Sequence, residues 1–271
     1  MLQIKHLLIF VGVLVVVNAQ SNYCKQESCS SGGVERPHIG CKNSGDFSET
    51  CSGDAEIVKM DKKKQNLLVK MHNRLRDRFA RGAVPGFAPA AKMPMLKWND
   101  ELAKLAEYNV RTCKFAHDKC RAIDVCPYAG QNLAQMMSYP THRDLNYVLK
   151  NLTREWFWEY RWAKQSQLDN YVGGPGKDNK QIGHFTAFVH EKTDKVGCAI
   201  ARFTNEHNFK ETLLACNYCY TNMMKERIYT QGKPCSQCQS KKCGPVYKNL
   251  CDPSEKVDPT PDVLKQWKHG K

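Results

Sequence analysis

The chain has 271 residues, 41% of them hydrophobic, with 14 cysteines and a formal net charge of +14. That apolar share supports a real core and excludes a disordered chain, and no stretch beyond the N-terminal segment is apolar enough to cross a bilayer, which takes about 20 residues. The length suits one domain with appendages, and so basic a surface on an exported chain suits either plain solvation or anionic glycans, acidic proteins and acidic membrane surfaces rather than nucleic acid.

In chain order, the first residues read as an export signal. Lys5 and His6 form a basic start, residues 7–17 are almost wholly apolar, and Val17 and Ala19 stand at the small-residue spacing that signal peptidase prefers. Residues 1–19 are therefore assigned to a signal peptide cleaved after Ala19, and the mature chain is expected to be secreted and extracellular. An even number of cysteines in an exported chain implies disulfides. Residues 20–60 hold Cys24, Cys29, Cys41 and Cys51 with no helical or strand period and read as a disulfide-held extension.

Asp61 then caps a helix on which Leu68, Met71, Leu75 and Phe79 repeat at helical spacing, ended by Gly82. A second helix follows Asn99 as N-cap, with Asp100 and Glu101 in its positive first turn and Leu102, Leu105, Ala106, Val110 and Cys113 as its stripe. Residues 120–127 read as a loop. Residues 147–162 read as a third helix with Val148, Leu152, Trp156 and Tyr160 on one face. After the glycines at 173, 174 and 176 the period changes to two: residues 184–190, 196–203 and 213–218 are predicted strands. Helices followed by strands predict an α+β fold. Residues 61–230 form this domain. Residues 231–271 form a tail with Cys235, Cys238, Cys243 and Cys251, ending in a Pro-rich, polar stretch whose composition suits disorder.

Two constellations could carry chemistry. Cys216-x-x-Cys219, fifteen residues and then Cys235-x-x-Cys238 fit zinc-ribbon spacing, although export and a strand running into Cys216 favour disulfides. His117, His184 and Glu159 could together hold a divalent metal or move protons, but spacing alone does not bring them together, and isolated histidines are more often structural. No nucleophile triad or phosphate loop is evident. Asn151-Leu-Thr153 is a glycosylation sequon on the third predicted helix.

Several segments, in order, resemble the CAP superfamily of cysteine-rich secretory, antigen 5 and pathogenesis-related proteins. These are MHNR at residues 71–74, CKFAHDKC at 113–120, YAGQNLA at 128–134, GHFTA at 183–187, VGCA at 196–199 and LLACNY at 213–218. PHIGC at 37–41 and YKNLC at 247–251 are similar to the insect antigen 5 branch. The resemblance runs from about Tyr23 to Cys251. It implies a three-layer α–β–α sandwich and a shallow cleft lined by two histidines and two acidic residues, matched here by His117, His184 and Glu159, with Gln131 at the second acidic position.

Gln131 is neutral and a poor zinc ligand, so the resemblance implies at most a weak divalent site, such as zinc on His117 and His184, and otherwise no cofactor. His190 stands where the family usually has Trp; it and Glu191 are expected to be surface substitutions rather than ligands at the cleft rim. The resemblance further implies the disulfides Cys24–Cys41, Cys29–Cys120, Cys51–Cys113 and Cys198–Cys216. It leaves Cys126 and Cys219 as an extra pair and the four tail cysteines to pair among themselves.

For function, the resemblance implies a non-enzymatic extracellular protein that binds other proteins or lipids in a glandular secretion such as saliva, venom or reproductive fluid. A lipid or sterol carrier and a metal-dependent hydrolase in the cleft are the alternatives. Residues 52–54 read Ser-Gly-Asp, so there is no Arg-Gly-Asp tripeptide to engage integrins.

Overall fold

The computed structural model describes residues 22–31, 34–262 and 264–265; the export segment lies outside the described residues. Helix α1 (Lys62–Ala80) starts where the Asp61 carboxylate accepts the Lys64 N–H at 2.9 Å. Gly82, at φ 77°, turns the chain away beyond its end. In α2 (Asp100–Val110) the Asn99 side chain accepts the Leu102 N–H at 2.8 Å and Leu102, Leu105, Ala106 and Val110 are buried. Cys113, expected on that stripe, lies past the helix end at φ 52°. Helix α3 (Leu145–Trp158) is capped by Asp144 and passes into a 3₁₀ turn at Glu159–Arg161. A short α4 (Gln165–Asp169) follows.

Residues 184–190 are not a strand. They form α5 (Gly183–Phe188). Alternation over so few residues cannot separate a strand from a buried helical turn. Here the spacing of three wins: Phe185 and Phe188 are both fully buried and both pack on Phe157, at 5.7 Å between ring centres.

Among the described residues, β3 (Glu56–Ile57), β6 (Lys195–Thr204), β7 (Lys210–Tyr218) and β5 (Gly130–Ser138) lie side by side in that order, all antiparallel. The short β4 (Lys97–Trp98) runs parallel to β6. A separate ladder joins β1 (Ser30–Ser31) to β2 (Val34–Glu35). The long strand β5 starts within the motif at residues 128–134 and carries its last five residues, which the sequence marks by that motif rather than by a period of two.

The register places Gln131, Asn217 and Gly197 in one row across β5, β7 and β6, and Asn132, Cys216 and Cys198 in the next. Neighbouring rows face opposite sides of a sheet. The first side, with Leu133, Ala199, Ala215 and Leu213, packs on Ala106 and Val110 of α2. The second, with Ile200, Leu214 and Tyr218, packs into the larger core made with α1, α3 and α5. The expected α–β–α sandwich is therefore present. Gly197 lets α2 ride close to the sheet: a Cβ there would lie 2.2 Å from the Ala103 nitrogen and 2.5 Å from the Asn99 carbonyl oxygen.

Beneath α1 sits a polar hub. Arg76 is fully buried and, among the described residues, forms no salt bridge, its electrostatic support from a carboxylate coming from Asp194. It donates to four carbonyl oxygens instead: Phe188 at 2.8 Å, His190 at 3.1 Å, Pro94 at 2.8 Å and Thr193 at 3.2 Å. Burial pushes its pKa down to about 9, so it stays charged at neutral pH.

His190 is not a surface residue. It is fully buried, its ring 4.7 Å from that of Tyr220, with Nδ1 accepting the Lys192 N–H at 3.1 Å. Glu191 is half-buried and accepts the Thr230 backbone N–H at 2.7 Å and the Thr230 hydroxyl at 3.0 Å. Both residues close the loop over the hub, because the chain leaves α5 toward the core rather than toward solvent.

Seven disulfides take up all fourteen cysteines. Cys24–Cys41, Cys29–Cys120, Cys51–Cys113 and Cys198–Cys216 pair as the resemblance implied, and Cys126–Cys219 is the extra bridge. In the tail Cys235 joins Cys243 and Cys238 joins Cys251. The zinc-ribbon reading fails, since each of its four thiols is spent on a disulfide. The described part of the polar stretch after Cys251 is held as far as Asp262, where the composition suited disorder. Buried Glu226 accepts the Asp262 N–H, the Tyr220 hydroxyl and the Lys192 ammonium, and Lys192 reaches Asp262 at 2.7 Å.

Candidate functional site: a paired-histidine cleft at the sheet edge

The cleft lies where β5 begins, beside the sheet's outer edge. Successive residues of a strand point to opposite faces, and Gln131 and Asn132 use this to reach both layers. On the α2 side, Gln131 Nε2 donates to Asp118 Oδ2 at 2.8 Å and to Asn217 Oδ1 at 3.0 Å. Asn217 Nδ2 in turn donates to the Leu102 carbonyl of α2 at 3.0 Å. With its amide nitrogen so committed, Gln131 presents Oε1 to His117 Nδ1 at 2.8 Å. On the other side, Asn132 Nδ2 donates to the His184 carbonyl at 3.1 Å and fixes the start of α5.

Glu159 is turned inward by the 3₁₀ turn after α3. Its Oε1 meets His184 Nδ1 at 2.7 Å, and its Oε2 accepts the backbone N–H groups of His184 at 2.9 Å and Phe185 at 3.1 Å. Both histidines thus face an acceptor at Nδ1, which places the proton there and leaves the Nε2 lone pair free. Partial burial holds His117 below the usual imidazole pKa, with Arg121 and His184 adding to the effect against the Gln131 hydrogen bond. The two rings line one open cleft of about 730 Å³ with Arg121, Tyr171 and Asn222. Burial raises the Tyr171 pKa, so its phenol stays protonated and is a poor nucleophile or base.

All four residues singled out from the sequence, His117, Gln131, Glu159 and His184, belong to this arrangement, but in different roles. Glu159 and Gln131 orient the imidazoles; they do not stand beside them as free ligands. Among the described residues, the only three His, Cys, Asp or Glu donor atoms within 4.8 Å of one another are those of Cys238, Cys251 and Glu255, and two of these are joined in a disulfide. Among the described residues the cleft shows no such three-donor cluster, so His117 and His184 are the residues that would hold a divalent cation such as zinc there, with water completing its shell. The cleft does not fit a four-ligand structural site.

Sequence reasoning missed Asp118, a carboxylate buried behind Gln131 and 2.8 Å from the Arg121 guanidinium. Its position next to His117 was the available signal. The sequon lies on α3, where the Asn151 amide donates to the Tyr147 carbonyl at 2.8 Å and Thr153 is fully buried.

A sheet between two helical layers, stapled by disulfides at both ends and opening at one edge into a cleft with two oriented imidazoles, defines a class of cysteine-rich α+β protein. The profile of the cysteine-rich secretory protein (CAP) family matches residues 69–218. Over 247 residues the chain is 40% identical to Venom allergen-1 of Aedes aegypti, covering 90% of this chain and 92% of that protein. It is 44% identical to Antigen 5 like allergen Cul n 1 of Culicoides nubeculosus, covering 70% and 87%. A crystal structure of NaASP2 with Zn2+ superposes with a TM-score of 0.59 at 26% identity, covering 74% of this chain and 100% of that one. The chain belongs to the CAP family and, within it, to the insect antigen 5-like proteins.

Proposed function

We propose that the protein is a secreted, non-enzymatic binding protein of a glandular fluid, whose cleft holds a divalent cation weakly and catalyses nothing. The observation that carries this reading is the commitment of the cleft's polar groups. Glu159 spends both oxygens on three N–H donors, Gln131 is neutral, and Tyr171 has its pKa raised by burial. A hydrolase needs a nucleophile beside an oriented base; the imidazoles are oriented, but among the described residues no serine or cysteine lines the cleft for them to activate. A cation on the two Nε2 atoms would polarise a bound carbonyl or water, and that is the route to chemistry that zinc-dependent turnover would reveal. Relatives named as allergens of venom, Venom allergen 5 of Dolichovespula arenaria among them at 32% identity, support a secreted setting. Among the described residues no helix is long and apolar enough to cross a membrane.

The test is turnover of ester, amide and phosphoester probes with and without zinc, by the wild-type chain and by His184→Ala. Equal, background rates are expected. Zinc-dependent turnover that a chelator abolishes and His184→Ala lacks would overturn the non-enzymatic reading.

A further inference from the structure

We propose that the groove between α1 and α3 is a binding site for sulfated polysaccharide chains. It shares no lining residue with the cleft and goes beyond the function proposed for it. Its walls carry Arg74 and Arg78 of α1, Arg81 capping its C-terminal end, and Arg154 of α3, with Tyr247 of the tail beside them. Arg74 and Arg81 are exposed, and Arg78 and Arg154 half-exposed. None of the four is in an ion pair among the described residues.

The one carboxylate in the lining, Asp77, is engaged elsewhere: it accepts the Asn249 backbone N–H at 2.8 Å and the Asn249 amide at 3.2 Å. Four guanidiniums against that one acid leave the groove strongly positive. Arg78 and Arg154 each tie only Nε to a carbonyl, at 3.4 Å on Ala83 and 3.2 Å on Lys150. Their terminal N–H pairs stay available, and that planar fork matches the oxygens of a sulfate in a bidentate way.

The spacing selects a polymer over a single anion. At a rise of about 1.5 Å per residue, Arg74 and Arg81 stand about 10 Å apart along α1, and Lys70, exposed on the same helix, continues the row. One small anion reaches one or two of these groups; a chain bearing an anion on each sugar reaches them all. The concavity admits a strand and not a flat bilayer. Nucleic acid is disfavoured by the nearby aromatic surface. Unspecific single-strand binding uses bare aromatic rings on which bases stack. Here the Trp158 ring is covered by Arg154 at 5.9 Å and Arg161 at 5.3 Å. A fold closed by seven disulfides, as in chains made for oxidising surroundings, would meet sulfated chains there.

The experiment is binding of a heparin-derived octasaccharide to the full chain, by calorimetry, between about 0.05 and 0.2 M salt. Arg74→Gln/Arg78→Gln/Arg81→Gln is expected to bind about tenfold more weakly or worse, with a shallower salt dependence. Lys104→Gln/Lys114→Gln/Lys119→Gln removes the same charge from exposed positions on α2 and the loop after it, and is expected to bind as wild type. A desulfated octasaccharide is expected not to bind. Thermal unfolding checks that each variant folds, and the single exposed change Arg81→Gln, expected to weaken binding with the fold intact, serves if the triple variant does not. Equal losses in both triple variants would reduce the effect to diffuse charge and overturn the proposal. So would no binding by wild type at low salt, equal binding of the desulfated chain, or displacement by single-stranded nucleic acid of equal charge with the same loss in the arginine variant.

Discussion

The histidines of the cleft and those beneath α1 differ in which nitrogen is satisfied and at what depth. In the cleft, His117 and His184 tie Nδ1 to a side chain and keep Nε2 for solvent or a cation. Beneath α1, His72 uses both nitrogens internally, on the Leu68 carbonyl at 2.8 Å and the Tyr218 hydroxyl at 2.9 Å, and stacks on Phe188 at 4.4 Å. His190 is as deeply buried. Burial pushes His72 down to about 4 and His190 to about 3. The large shifts therefore mark the structural hub, where a neutral imidazole is locked in. A perturbed pKa points to function only where the group can still reach a ligand.

The two regions part most visibly at Arg76. Arg76→Met takes a donor away from four buried carbonyl oxygens, of which that of His190 still accepts the Thr193 N–H at 3.4 Å, and a loss of about 3–5 kcal/mol in denaturant unfolding is expected. Zinc binding by whatever remains folded should be unchanged. A loss below about 1 kcal/mol would mean that water replaces the guanidinium and the hub is no keystone.

Acid titration separates the two regions next. The folded-state pKa values of His72 and His190 lie below the unfolded value of about 6.5. As pH falls below 6.5 the unfolded chain takes up these protons first, so stability that is intact above about 6.5 is lost as pH drops toward 4 and 3. Each histidine contributes up to about 1.4 kcal/mol per pH unit inside its window. His190→Asn, which keeps an acceptor for the Lys192 N–H, should make the decline shallower in urea unfolding at a series of pH values. An identical slope would place the sensitivity elsewhere.

The smallest effect sharpens the role of Gln131. Gln131→Glu puts a carboxylate against His117 and beside Asp118, and zinc affinity by calorimetry should rise about tenfold, or about 1.4 kcal/mol. Unchanged affinity would show that position 131 only aims the imidazole.

Much of this was legible in the sequence. Asp61 and Asn99 announced α1 and α2 because capping is local chemistry that tertiary contacts seldom override. β6 and β7 were legible because their apolar runs are long enough to show. The cleft was legible through resemblance and not through spacing: His117 and His184 come from different layers and meet only because β5 sits between them. The failures have one cause. At residues 184–190, at His190 and at Asp118, residue type suggested strand, surface and nothing in turn, while depth in the fold decided otherwise. Depth is fixed by contacts distant in sequence, such as Arg76 reaching the carbonyls of Phe188 and His190.

Gly197 makes none of the cleft's side-chain bonds, yet it sets their spacing. The backbone of α2 rests against it, the Leu102 carbonyl of α2 takes Asn217, Asn217 takes Gln131, and Gln131 aims His117. A methyl group at position 197 would lift the helix and slacken the whole relay. A single added carbon on β6 would thus reach the imidazole through four successive contacts, without touching the cleft itself.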